Sequence, residues 1–428
     1  MRITKRHLLG FAAALPLAWL TACGGSGDDG NDAHVRLVNA SPGYASLDMY
    51  VDDDKEASAV TFGAGSDYAA VANGEPERTL TAAGSTTELL SQTSALDSGK
   101  KYTILAYGWE GALKSYIMND DEDEADTDKT KVSAFNLAAD AGDIDVYLTG
   151  ADDTLEASTP IASSIDAGAQ SPFSSVTSGT YRLRVTAASS KTDVRLDVPA
   201  VVLGSKQVLT LVMTPGRSGT LVHAIGVVQD GSVTPYLNTM ARVRLVAAVA
   251  DSGLVTQSIG STSLGANVRS STRRDYVLVN SGAQTLHTSV NGTALADRAV
   301  TLTAGSDTTV LVTGTSTATA FVNVIADDNR LPTVSTEYKL RLIHASPTLA
   351  AENLSLTINA GSVVNDLPFG DASAFDTQTA DTVSLEISTP LQGTITTLSD
   401  LDMDAKGVYT VFMFDYVDGP QAIRFKER

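Results

Sequence analysis

Hydrophobic and polar positions alternate in short runs along most of this chain. Residues 35–39 read Val-Arg-Leu-Val-Asn, which puts Val35 and Leu37 on one face of an extended segment and Arg36 on the other. Pro42 then stops the ladder, because it has no N–H to donate and holds the residue before it extended. Residues 47–51, Leu-Asp-Met-Tyr-Val, alternate in the same way and enter the acidic turn 52–54. Further runs at 78–82, 87–90, 102–107 and 113–117 are parted by Gly, Asp and Ser. Short strands with such turns between them predict a β-sandwich.

That order recurs along the chain. Residues 340–347, Leu-Arg-Leu-Ile-His-Ala-Ser-Pro, repeat 35–42, and weaker copies stand at 132–136 and 243–247. Residues 144–148, Ile-Asp-Val-Tyr-Leu, match 47–51 position for position, whereas 254–259 in the third unit lack the Asp-x-Tyr pair. Later strand-like runs lie at 181–185, 208–212 and 221–228, at 276–279, 285–290 and 309–312, and at 354–358, 383–387, 409–414 and 422–425. The expected architecture is therefore all-β: tandem Ig-like antiparallel sandwiches over 34–119, 131–239, 240–336 and 337–428, with an acidic linker at 120–130 between the first two.

The opening strand with its Ala-Ser-Pro end, followed by the Asp-Met-Tyr-Val strand, resembles bacterial domain of unknown function 4397. A typical copy of that family opens on Val-Arg-x-x-His-Ala-Ser-Pro and continues into Asp-Val-Tyr-Val. The likeness is fullest in the first and fourth modules. It implies tandem β-sandwiches on exported or lipid-anchored proteins, and it brings no catalytic residues to carry over.

Residues 1–22 have a different pattern. Arg2, Lys5 and Arg6 precede an apolar run from Leu8 to Leu20, and Leu20-Thr-Ala-Cys23 closes it with small residues before the only cysteine. The run is too short and wrongly flanked for a spanning helix. It resembles a lipoprotein signal peptide, which implies lipidation of Cys23 and attachment to the membrane through that lipid. Gly24 follows the cysteine where an aspartate would resemble an inner-membrane retention signal, so the outer membrane is the expected address. Residues 23–33 form a Gly- and Asp-rich tether. A single cysteine also rules out an internal disulfide.

The composition fits short strands, with 43% hydrophobic and 19% charged residues in a chain of 428. Formal net charge is −20 and the leader carries three basic residues and no acid, so the mature chain stands at −23. Such a surface repels phosphates, which argues against nucleic acid as a partner.

Candidate chemistry is sparse. Seven acids fall within the nine positions 120–128, and Asp120, Asp121, Asp123, Asp126 and Asp128 are the candidate calcium ligands, since hard cations take several oxygens around one point. Against this stand the missing glycine of a calcium-loop bend and the mutual repulsion that keeps acid runs solvated. No cofactor other than calcium is expected. The turn 52–54 is a poorer candidate. There is no Gly-x-Ser-x-Gly elbow, no His-Glu-x-x-His pair, no paired-cysteine zinc pattern and no Gly-rich phosphate loop. His34, His223, His287 and His344 fall in different modules, and His344 occupies the place of Asn39, Asn136 and Ala247, which suits a structural strand-end residue. Tyr50, Tyr102, Tyr107, Tyr116 and Tyr147 are expected mainly in the cores, and Trp109 after Gly108 is expected to be exposed.

The functional expectation is a lipid-anchored cell-envelope protein that is not an enzyme: a binding, adhesive or structural array whose partners are envelope glycans or proteins. A hydrolase acting on envelope polysaccharide or peptide is the alternative, and a calcium-stiffened spacer is the third reading.

Overall fold

A computed structural model describes residues 32–428. The leader, Cys23 and nearly all of the tether therefore lie outside the described residues. The described chain is built of strands, with three short 3-10 turns at Ala139–Ala141, Thr317–Thr319 and Pro347–Leu349. Among the described residues no helix is long and apolar enough to cross a membrane.

The strands form eight sheets, two to a sandwich. In the first module one sheet runs Ala69–Val71, Ala33–Asn39, Lys101–Tyr107, Lys114–Asn119, and the other runs Asp54–Thr61, Ser46–Val51, Glu77–Ala82, Glu88–Thr93. The same order recurs around the opening strands Lys129–Asn136, Met240–Val249 and Glu337–Ala345. Each sandwich encloses its own apolar cluster. Val35, Leu37, Leu47, Met49 and Ile104 centre the first, and Leu340, Leu342, Leu356 and Val411 centre the fourth.

One sheet of each module is mixed rather than purely antiparallel. The opening strand pairs in parallel with the first strand to follow the second sheet in the chain, in registers that align Arg36 with Thr103, Ser133 with Thr210, Arg244 with Thr309 and Arg341 with Thr410. Parallel neighbours need a long crossover, and the second sheet of the sandwich supplies it.

Several strands were missing from the sequence pattern because they are polar or interrupted. Asp54–Thr61, Ala162–Ile165, Gly361–Leu367 and Gly393–Asp402 have few apolar positions, and Val194–Leu203 contains Pro199. Pro199 is tolerated because this strand has a neighbour on one side only. The Asp of Asp-x-Tyr organises the strand beside it: Asp48 accepts N–H bonds from Ala59 and Gly84, and Asp145 accepts from Ser164 and Ser189. Ala59 and Ser164 sit at positive φ in irregular registers, so each carboxylate fastens a bulge. In the third module Thr256 does the same for Asn267 with a hydroxyl, which is why the Asp-x-Tyr spelling is lost there while the fold persists.

The outer face of each mixed sheet is covered as well. Val38, Ala40, Leu105 and Met118 of the first module pack on Phe135, Leu137, Val212, Ile225 and Val227 of the second. Val246, Ala248, Leu311 and Ile325 of the third pack on Ile343, Ala345, Phe412 and Phe414 of the fourth. The modules are thus joined back to back in two pairs, and each opening strand is buried on both faces.

Candidate functional site

The side chains in these seams follow from the strand alternation. If Val35 and Leu37 fill the module core, Arg36 must enter the seam, and Arg36, Arg244 and Arg341 are the largest fully buried side chains of the described residues. Each donates from Nε to the threonine beside it on the parallel strand, at 2.8, 2.8 and 3.3 Å. The charge is met by an acid just after, or at the end of, the last strand. Between modules three and four the pairing is exchanged: Arg244 forms two bonds to Glu427 of the fourth module, at 2.7 and 2.8 Å, while Arg341 of the fourth pairs with Asp327 of the third. Tyr276 covers Arg244 at 4.5 Å and donates to Asp327 at 2.7 Å, and Phe375 covers Arg341 at 4.8 Å.

The first pair has half of this arrangement. Arg36 lies under Tyr68, 3.9 Å from its own module's Asp120, and donates to the backbone oxygens of Gly231 and Val228 in the second module. The second module has Ser133 where the arginine would stand and Gln229 where the acid would stand, so neither charge is left without its counterpart. The acids respond differently to burial. Burial pushes the Asp120 carboxyl above its ordinary range despite bonds from Thr103 and Tyr68, whereas Asp327 is held below that range because Arg341 and Arg244 outweigh the same burial.

Asp120 is accordingly a seam residue. The other candidate calcium ligands, Asp121, Asp123, Asp126 and Asp128, are exposed. The acids between them turn to separate lysines, Glu122 to Lys131 and Glu124 to Lys206. Among the described residues no three His, Cys, Asp or Glu side chains gather to hold a metal ion. Asp52 and Asp53 form the two-residue turn of a hairpin, both at positive φ, and Asp52 accepts from the Glu77 N–H.

The histidines stay apart. His344 and Asn39 do one job: Nδ1 or Oδ1 accepts from the N–H two residues on, and the other ring or amide nitrogen donates to a loop carbonyl. His223 accepts the Asn238 N–H, and burial pushes its pKa down to about 4. His287 is exposed beside Asp297. Of the aromatics, Tyr102 and Tyr147 are buried and Tyr116 is 41% exposed.

An open cleft of about 880 Å³ lies where the two pairs meet. Its first wall is built by the repeated motif. Pro42 and Gly43 turn under the 109–111 hairpin so closely that a Cβ on Gly43 would meet the Glu110 nitrogen at 2.3 Å. Trp109, expected to be exposed, is half-buried there: its Nε1 donates to Asp140 of the second module at 2.7 Å, and the Arg330 guanidinium lies over its ring at 4.7 Å. The floor is the turn 216–219, docked on the third module through Ser218, which donates from its N–H to Gly305 and accepts from the Asp307 N–H. Gly219 has φ +91° and faces Asp140 and the Arg330 backbone, where a side chain has no room. Asp140 also accepts the Leu331 N–H, and Arg428 of the fourth module donates to the Asp140 backbone oxygen and to Thr220. All four modules meet at this junction. None of these contacts had a signal in the sequence, since Trp109, Asp140 and Arg330 lie in loops of different modules.

The family described as Domain of unknown function (DUF4397) matches residues 33–147 and 241–352, together just over half of the chain. Each match takes in nearly all of one sandwich and runs into the sandwich packed against it, the first through the opening strand and most of the next, the second through the opening strand only, and the second match includes the third module despite its missing Asp-x-Tyr pair. No curated protein matches the chain. Among solved structures the Bacillus anthracis TIE protein aligns over 89% of this chain and 68% of its own, at 10% identity with a TM-score of 0.15, which carries no argument.

Proposed function

Because the chain belongs to the DUF4397 family, whose description assigns no activity, we propose its role from its own architecture: a non-enzymatic binding and structural array, lipid-anchored in the cell envelope. The observation that supports this most is the burial of both faces of every opening strand. Modules fastened in this way hold their end loops in fixed relation, and loops carried on a rigid scaffold are where sandwich proteins place recognition. The anchor is Cys23, whose lipid would hold the array at the outer membrane, with residues 24–32 as a spacer. The partners fitting this reading are envelope glycans or proteins. A hydrolase on the same substrates is the competing reading, and one experiment separates the two. The soluble chain beginning at Gly24 is incubated with envelope glycans and wall fragments, and bound material is recovered. The array returns its ligand intact; turnover of the ligand would overturn the proposal.

A further inference from the structure

We propose that the junction cleft binds a short sugar oligomer bearing a carboxylate, a uronate-type glycan. This rests on the binding-array reading and names the ligand class of the cleft between its modules. A volume of about 880 Å³ falls in the range of small-ligand sites, roughly 300–1,000 Å³. The walls come from three modules, so the cavity exists only in the assembled chain.

The charges in the cleft determine the ligand's charge. Asp307 is held by Arg242 at 2.6 Å, Asp327 by Arg341, and Asp328 by Arg330 at 2.7 Å and Lys339 at 3.2 Å. Those acids are already satisfied. Arg217 also lines the cleft and is exposed, and among the described residues its side chain has no ion pair or hydrogen bond. In a chain of net charge −20 a guanidinium left free in a concave site is a ready partner for a carboxylate, which it can grip with two parallel bonds. The long-range field of the acidic molecule opposes a highly charged polymer, and screening at about 8 Å lets a short ligand of few charges approach.

The remaining lining suits a sugar. Thr301, Thr303 and Ser306 present hydroxyls that bond to no other side chain among the described residues, and hydroxyls both donate and accept, as sugar hydroxyls do. Trp109 adds an aromatic surface whose position is set by Asp140 and Arg330. Glu110, exposed on the same hairpin, is the one acid of the lining with no cation and is the element that limits affinity.

The test uses the soluble chain from Gly24, with trigalacturonate and its fully methyl-esterified form as probes in titration calorimetry. Trigalacturonate should bind, and the ester should bind at least about ten-fold more weakly, the worth of one charge-assisted contact. Arg217→Gln should lose the same factor with an unchanged melting midpoint, since the side chain is exposed and unpaired, and Glu110→Gln should bind more tightly. Equal affinity for acid and ester, retention of full affinity by Arg217→Gln, equal binding of a triglutamate peptide, or no heat at millimolar probe would each overturn the proposal. If the cleft fails while envelope material is still recovered intact, the array reading stands and only this assignment falls. Cleavage of trigalacturonate would instead sink the array reading itself.

Discussion

At the scale of single residues, the buried arginines carry the sharpest consequences. Removing one partner of a fully buried ion pair leaves the other charge unsatisfied, which costs about 3–5 kcal/mol, whereas replacing both with apolar groups is often neutral. Glu427 keeps its contact with Arg273 at 3.5 Å when Arg244 is lost, so Arg244→Met should lower unfolding free energy by about 3 kcal/mol in denaturant titration, the lower end of that range, and the double variant Arg244→Met/Glu427→Met should recover most of it. His223 gives a pH prediction. Its folded pKa of about 4 lies below the ordinary 6.5, so the fold favours the neutral ring. That contribution is complete above pH 6.5 and is lost as pH falls toward 4, on the order of 3 kcal/mol over the window. The stability difference between wild type and His223→Gln should follow that curve, and a flat difference would refute it. Some of these roles were legible in the sequence. His344 standing where Asn39 and Asn136 stand announced a strand-end hydrogen bonder, and the structure gives it that job. Arg36 was legible only as pointing away from Val35 and Leu37, because alternation shows which face a side chain is on and not what covers that face.

At the scale of elements, the opening strand explains both the success and the shortfall of the sequence pattern. Its apolar run is nearly continuous, Val-Arg-Leu-Val-Asn-Ala, and such a run marks a strand buried on both faces. The second core formed by Val38 and Ala40 was therefore present as a signal, but its partner strands lie in another module, beyond the reach of local periodicity. Phe135 probes that core. It is 1% exposed and meets Tyr116 edge-on at 4.7 Å, so Phe135→Ala should cost about 3–5 kcal/mol by chemical denaturation, far more than truncating an exposed residue such as Val202. The polar strands escaped notice for a different reason. Asp54–Thr61 owes its place to Asp48 and the bulge at Ala59, so what defines it is a carboxylate on its neighbour and not its own residues.

At the scale of the whole molecule, repetition of the opening strand made four units visible, while their pairing and the four-way junction at Asp140 depended on loops with no shared spelling. The proposed anchor belongs to this scale. Cys23→Ser should move the protein from the membrane fraction to the soluble one, and retention in the membrane would refute lipidation as the means of attachment. At this scale the sandwiches are packed back to back into fixed pairs. Small-angle X-ray scattering of the soluble chain tests it most directly. Fixed pairs give a profile that this arrangement reproduces at all protein concentrations, whereas an extended profile of four modules moving independently would refute the packing.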